Sequence, residues 1–150
     1  MIRVQTEDFD AGAEIDAMRE RCADADAGGL CSFIGVVRAG EGADQITSMT
    51  LEHYPGMTEK EMARIEAEAR QRWPLADVLI LHRTGRLVPG DQIVLVLTAS
   101  RHRKASLAAA EFLIDWLKTK APFWKSEETA GEARWVAARA SDEEAAAKWD

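Results

Sequence analysis

The chain has 150 residues, with 47% hydrophobic and 30% charged side chains and a formal net charge of −7. These values are typical of one globular domain, over residues 1–150, whose acidic surface repels nucleic acids and anionic membranes. The sequence has no apolar run near the ~20 residues that a membrane-spanning helix needs. The N-terminus "MIRVQTEDFD" lacks the layout of a signal peptide, so we expect a cytoplasmic protein.

The first third of the chain predicts one helix and two strands. Ile15, Met18 and Cys22 recur at helical spacing in "FDAGAEIDAMRERC", and Gly28-Gly29 end that helix. The segment "LCSFIGVVR" is typical of a buried strand, the loop "AGEGAD" follows it, and "ITSMTLEHY" predicts a second strand.

The rest of the chain predicts three further helices and three strands. The helix "MTEKEMARIEAEARQRW" has a capping box of Thr58 and Glu61, and Pro74 stops it. The strands are "DVLILHRTG", "QIVLVLTAS" and "RWVAAR", the longest helix covers residues 103–120, and "SDEEAAAKW" is a capped terminal helix. Because helices and strands mix without regular β-α alternation, the fold class is α+β.

The cysteines and histidines of the sequence predict no thiol or metal chemistry. Cys22 and Cys31 lack an activating neighbour and are expected to be small core residues in a reducing compartment. His53, His82 and His102 lack the spacing of metal ligands, and His82 on a strand is expected to be a core histidine. We therefore expect neither a metal nor another cofactor.

Positive charge is concentrated in one segment of this acidic chain. Residues 101–125 contain six Lys or Arg and two acids, a charge of +4, whereas the other 125 residues sum to −11. The segment begins with "SRHRKA", where a strand ends and a helix begins. Cations are unfavourable at a helix N-terminus, but free amides and cations together suit a phosphate. Alternatively, these side chains are solvated and pair with the many acids.

The segment ends with "LKTKAPFWKSE", which places two lysines on either side of a stiff apolar corner. Lys118 lies near the seam between the apolar and polar faces of the helix, with Asp115 one turn back to orient it. The proline forces a turn, and Phe123 and Trp124 are expected to pack the corner and direct Lys125 towards the helix end. Two ammonium groups held together lower each other's pKa, which produces a base or nucleophile. Alternatively, the helix ends in lysine because the dipole favours it.

Five motifs resemble, in order and spacing, those of the large catalytic subunits of molybdopterin synthases. They are "FIGVVR" (33–38), "LEHYPGMTEKEM" (51–62), "HRTGRLVPGD" (82–91), "SRHRKA" (100–105) and "LKTKAPFWKSE" (117–127). The resemblance implies an α/β-hammerhead fold and a homodimer that binds one small ubiquitin-like subunit per protomer. It further implies sulfur transfer from that subunit's C-terminal Gly-Gly thiocarboxylate to cyclic pyranopterin monophosphate, which forms the dithiolene of molybdopterin.

The resemblance also implies the site residues, position by position. Lys118 and Lys125 match the family's two essential lysines. The positions that match residues in or near the substrate pocket are Arg38, His102, Arg103, Phe33 and Arg139. Arg101 departs from the family pattern, since relatives commonly have a small residue or proline there. It could contact the phosphate or point outward.

Two other function classes stay open on the residues alone. One is a lysine Schiff-base enzyme that acts by itself on a phosphorylated carbonyl compound, which borohydride trapping would reveal. The other is a non-catalytic adaptor that holds a ubiquitin-like tail, which would bind without turnover. Neither alternative includes a nucleic-acid or membrane partner.

Overall fold

The computed structural model describes residues 1–42, 45–129 and 132–150, and the predicted loop "AGEGAD" extends into residues 43 and 44, outside this part. No helix in the described ranges is long and apolar enough to cross a membrane. In chain order the elements are β1 (Ile2–Gln5), α1 (Ala11–Arg21), β2 (Gly29–Val36), β3 (Ile46–His53), α2 (Met57–Arg72), β4 (Leu75–Arg83), β5 (Gly85–Leu87), β6 (Gln92–Ser100), α3 (Arg103–Thr119), β7 (Phe123–Thr129), β8 (Glu132–Val136) and α4 (Ala140–Ala147).

The first sheet has the strand order β1-β4-β6-β2 and forms the centre of the molecule. Strand β1 pairs in parallel with β4, whereas β4–β6 and β6–β2 are antiparallel. The sheet is therefore mixed, as expected of an α+β protein without a regular β-α repeat.

Helices cover both faces of the central strands β4 and β6, which explains their continuous apolar runs "VLIL" and "IVLVL". On β4, Val78 and Ile80 join the core formed with α2 and α3, whereas Leu79 and Leu81 join the core formed with α1. Alternate residues of a strand point to opposite faces, so a continuous apolar run fills two cores. His82 continues the row of Val78 and Ile80 at its polar end.

The second sheet, with the order β5-β3-β7-β8, is antiparallel and holds the chain that follows α3. Its own small core consists of Val37, Ile46, Met49, Leu51 and Leu87. Strand β7 pairs along its whole length with β3 and, from Lys125 to Thr129, also with β8. The "PFWKSE" segment is thus anchored on both sides from Lys125 onwards.

The α+β class is confirmed, but several local predictions are wrong. The strands β1, β5 and β7 were not predicted from the sequence. Helix α2 begins at Met57 with Gly56 as its N-cap, and Glu59 rather than Glu61 accepts the Gly56 N–H, at 2.6 Å. Helix α4 begins at Ala140 with Arg139 as its N-cap and has no side-chain cap, so Ser141 lies inside the helix.

Candidate active site

A cleft of about 830 Å³ lies where the end of α3 meets the second sheet, the chain after β2 and the start of α4. Its floor is apolar and includes Met49, Leu51 and Leu117, and its walls are rich in charge. The charged side chains that line it are Arg38, Lys118, Lys125, Arg134 and Arg139, opposed by Glu41, Glu127 and Asp142. A concave site with an apolar floor and convergent cations suits a flat organic anion.

The turn after α3 places the two lysines in the same cleft. The N–H groups of Lys120 and Ala121 both donate to the Trp116 carbonyl, at 2.8 and 3.2 Å, and end the helix just after Lys118. The chain then enters β7, where alternation points Phe123 and Lys125 to the cleft.

The aromatic residues of this turn lie on opposite faces, which corrects the expectation that both pack the corner. Phe123 stacks on the His82 ring at 3.9 Å between centroids. Trp124 faces away from the cleft, is 46% exposed and lies 6.2 Å from the Tyr54 ring. Phe123 alone therefore packs the cleft side of the turn.

A buried threonine ties the turn to α2. Thr58 is fully buried, and its hydroxyl donates to the Pro122 carbonyl at 3.0 Å while accepting the Tyr54 N–H at 2.9 Å. The sequence predicted this residue to cap a helix, but the structure uses it to join α2 to the α3–β7 turn. The backbone before Lys125 is therefore fixed on two sides.

The surroundings of Lys118 favour loss of its proton. Burial lowers its pKa most, followed by the charge of Lys125, with smaller contributions from Arg139 and Arg38, whereas Asp142 raises it. The side chain has a large solvent-accessible surface because the cleft is open. Protein atoms nevertheless displace part of the water around the ammonium group. A lysine with a lowered pKa is a candidate acid, base or nucleophile.

The carboxylates near the lysines differ from the sequence expectation. Asp115 was predicted to orient Lys118, but its carboxylate accepts the Trp149 Nε1–H at 2.6 Å and lies 3.8 Å from the Lys148 ammonium. It therefore fastens the end of α4 to α3. Glu127, which was not predicted, lies two residues after Lys125 on the same strand face, and their charged groups are 3.6 Å apart.

The structure brings together four of the seven predicted site residues. Lys118, Lys125, Arg38 and Arg139 line the cleft, and the other three (Phe33, His102 and Arg103) do not. His102 and Arg103 are exposed at the opposite end of α3 from Lys118, about 22–24 Å away along the helix at 1.5 Å per residue.

The basic cluster at the start of α3 is open to solvent. Arg103 and Lys104 are exposed, and His102 is the N-cap without a side-chain capping bond. Arg101 is 71% exposed and pairs at 3.1 Å with Asp26, which is itself 79% exposed. Arg101 therefore points outward, towards an acidic partner in its own chain.

Among the charged and histidine residues of the cleft, sequence reasoning missed Arg134, Glu127, Asp142, Glu41 and His82. The first two are cross-strand neighbours, since Glu127 pairs with Arg134 between β7 and β8. The alternation of Phe123, Lys125 and Glu127 is not an apolar one, so the sequence carries no strong strand signal at β7.

Comparison with known proteins gives the same assignment over nearly the whole chain. The family model described as "MoaE protein" matches residues 4–120. A molybdopterin synthase catalytic subunit of Ralstonia nicotianae is 55% identical over 148 residues, which cover 99% of this chain and 83% of that protein. The corresponding Escherichia coli subunit is 48% identical over 148 residues, covering 99% of this chain and 97% of that protein.

A solved structure has the same fold. The molybdopterin cofactor biosynthesis protein E of Burkholderia multivorans superposes with a TM-score of 0.83 at 48% identity, covering 99% of this chain and 95% of that chain. The family model covers most of the first sheet, strands β3 and β5 of the second sheet and all of the cleft-forming helix α3. On these grounds, the chain is a member of the MoaE protein family.

Proposed function

We propose that this protein is the catalytic subunit of molybdopterin synthase, a sulfurtransferase of molybdenum cofactor biosynthesis. Its substrate is cyclic pyranopterin monophosphate, and its sulfur source is the Gly-Gly thiocarboxylate tail of a small ubiquitin-like subunit. The observation that carries the proposal is the cleft, in which five cations from separate segments converge in a chain of net charge −7. Family membership supports the same reaction.

The cleft has the charge that this reaction needs. Both substrates are anions, a phosphate ester and a thiocarboxylate, and the surplus of cations over acids in the cleft favours their joint binding. In each transfer, sulfur replaces oxygen on a substrate carbon and oxygen replaces sulfur on the terminal glycine carbon. Two such exchanges make the dithiolene without an external oxidant or reductant.

The two lysines have separate roles in the proposal. Lys118, whose pKa is lowered, engages the thiocarboxylate carbonyl or transfers the proton that the exchange requires. Lys125 stabilises the charge that develops on the substrate, or its phosphate, because strand β7 fixes its position. Arg38 and Arg139 supply further phosphate contacts from the cleft wall.

A homodimer reconciles the cleft with the distant basic cluster. His102 and Arg103 are too far from Lys118 to join the cleft of their own chain, and they are exposed. We place them, with Phe33, at the cleft of a second copy, where they extend the phosphate site. With one small subunit at each cleft, the assembly is a heterotetramer, formed by one-domain protomers in the cytoplasm.

The decisive experiment mixes the protein with a thiocarboxylated small subunit and the pterin precursor and assays molybdopterin. The proposal expects product only when all three are present, with one carboxylate tail formed per sulfur transferred. Product without the small subunit would favour a stand-alone lysine enzyme, and tail binding without product would favour an adaptor. Either result would refute the proposal.

A further inference from the structure

His82 is a polar side chain in an apolar row, at the end of β4 that reaches the cleft. It continues Val78 and Ile80, is only 7% exposed, and lines the cleft that contains Lys118. Its ring stacks on Phe123 at 3.9 Å with an angle of 17° between the planes. The imidazole is therefore held rigidly between the core and the cleft.

The hydrogen bonds of the ring fix its tautomer. Nδ1 lies 2.8 Å from the Arg83 carbonyl, which can only accept, so Nδ1 carries the proton. Nε2 then has a free lone pair, and no residue in the described part of the chain donates to it. The side chain is more than nine-tenths buried but lines the cleft, so a donor in the cleft can reach this acceptor.

The imidazole stays neutral at physiological pH. Burial is the main cause that lowers the pKa of His82 to about 4. The charges of Lys118 and His53 also lower it, whereas the hydrogen bond to the Arg83 carbonyl raises it. Nε2 is therefore an acceptor near neutral pH. His53 is engaged elsewhere, since its Nε2 lies 3.1 Å from a Glu59 carboxylate oxygen.

We propose that His82 is the positioning residue for Lys118, whose ammonium donates a hydrogen bond to Nε2 when the cleft is occupied. The inference rests on the proposed function for what Lys118 does, but the contact itself does not. It fills the role that the sequence assigned to Asp115, whose carboxylate is taken by Trp149.

A neutral acceptor suits a lysine that must give up a proton. A carboxylate at this place would orient the ammonium but would also pair with it and raise its pKa. The imidazole orients the group without adding charge. The cations Lys125, Arg38 and Arg139 then continue to favour the neutral amine, and Asp142 is the single acid that opposes them among the groups acting on Lys118.

Two substitutions at position 82 separate the hydrogen bond from the packing. His82→Asn retains a donor for the Arg83 carbonyl but lacks an atom at the place of Nε2, whereas His82→Gln puts an amide oxygen near that place. In His82→Asn we expect the single-turnover rate to fall about tenfold to a hundredfold, as for a lost hydrogen bond to a charged group. His82→Gln should recover most of the rate.

The second readout needs neither substrate nor small subunit. The pKa of Lys118 is measured by NMR of ¹³C-labelled lysine in the free protein, with thiocarboxylate-sized anions added. It should be lower in His82→Asn than in the wild type, and His82→Gln should restore the wild-type value. An unchanged Lys118 titration in His82→Asn, or equal losses in both variants, would overturn the inference. Failure of wild type to make molybdopterin would instead refute the proposed function.

A third measurement decides the matter even if both variants unfold. The ¹⁵N signal of His82 Nε2 should move towards that of an unbonded acceptor in Lys118→Ala. In the matched control Lys125→Ala, which removes an equal charge without the hydrogen bond, it should move less. Equal shifts in the two variants would show that Lys118 acts on the ring through charge alone and would overturn the proposal.

Discussion

The two ends of helix α3 are both basic, but only one of them is enclosed, in the sense that it lines the open cleft described above. At the start, Arg103 and Lys104 are exposed, and Arg101 pairs with an exposed acid of its own chain. At the end, Lys118 shares a cleft with Lys125, and its pKa is lowered. Both ends carry several cations, and they differ in what surrounds those charges.

The direction of the pKa shift shows which effect prevails at the enclosed end. The C-terminus of a helix favours cations by about 0.3–1 kcal/mol, which by itself would raise the pKa of Lys118. Burial and Lys125 act in the opposite direction, and they prevail. A basic cluster thus becomes a reactive site when water is displaced and cations are forced together, whereas an open cluster suits only the binding of anions.

The largest effect is expected from replacing the enclosed lysine. Lys118→Arg retains the charge but cannot release a proton, so single-turnover product formation should fall about 10²–10⁴-fold, nearly as far as in Lys118→Ala. Lys125→Arg should retain measurable activity, because Lys125 supplies charge. The four variants, the two arginines and the two alanines, are compared with preloaded small subunit.

Circular dichroism confirms that each variant is folded, and Lys120→Arg serves as the matched control. Lys120 is the next lysine along the chain, is 52% exposed and pairs with Asp150 outside the cleft. Robust activity in Lys118→Arg would show that Lys118 supplies only charge. The division of roles between the two lysines would then be wrong.

The open end of α3 should give an intermediate effect, on binding rather than on chemistry. Arg103→Ala removes a charge-assisted bond to phosphate worth about 1.5–3 kcal/mol, so substrate affinity should fall about tenfold to a hundredfold while small-subunit binding is retained. Calorimetry measures both, with Arg101→Ala as the matched control because Arg101 pairs with Asp26. Unchanged substrate affinity in Arg103→Ala would place the phosphate elsewhere.

The sequence predicted the enclosed end of α3 better than the strand that encloses it. The helix was visible because its apolar residues recur at helical spacing, and it ends within one residue of the predicted 120. Strand β7 was missed because its cleft-facing side is charged: Lys125 and Glu127 face the site rather than the core. Functional polarity conceals the apolar alternation by which a strand is recognised.

The hydrogen-bond and stacking partners that lie far away in the sequence could not be predicted, because residue spacing along one helix does not show which other elements pack against it. Asp115 lies one turn from Lys118, yet its carboxylate bonds to Trp149, 34 residues away. His82 was correctly expected to lie in a strand and to be mostly buried, but the sequence could not reveal its stacking on Phe123. Such contacts depend on how the two sheets meet.

A smaller effect, on stability, should follow from loosening the frame of the enclosed end. Thr58→Val has nearly the same shape but leaves the Pro122 carbonyl and the Tyr54 N–H without their partner. We expect a loss of about 1–3 kcal/mol in the free energy of unfolding by urea, and a slower single turnover as Lys125 loses its fixed position.

Thr58→Ser provides the control, because it retains both hydrogen bonds and loses only a buried methyl group. It should therefore keep the wild-type turnover, with a loss of stability of about 1 kcal/mol. If the valine variant is as stable and as active as wild type, the bond to Pro122 does not hold the turn in place. The rigidity of the enclosed end would then come from β7 pairing alone.

The smallest effect on activity is expected at the two thiols, which lie outside both basic ends. Cys22 is 5% exposed, and burial raises the pKa of both Cys22 and Cys31, so neither is the thiolate that a persulfide carrier requires. The double variant Cys22→Ser, Cys31→Ser should retain most of its turnover with thiocarboxylated small subunit. It should, however, lose about 1–3 kcal/mol of stability from the hydroxyl in the core at position 22.

A variant with Cys22→Ala in place of Cys22→Ser avoids that penalty and serves as the control. Loss of turnover in either folded variant would mean that sulfur passes through the protein's own thiol before it reaches the pterin.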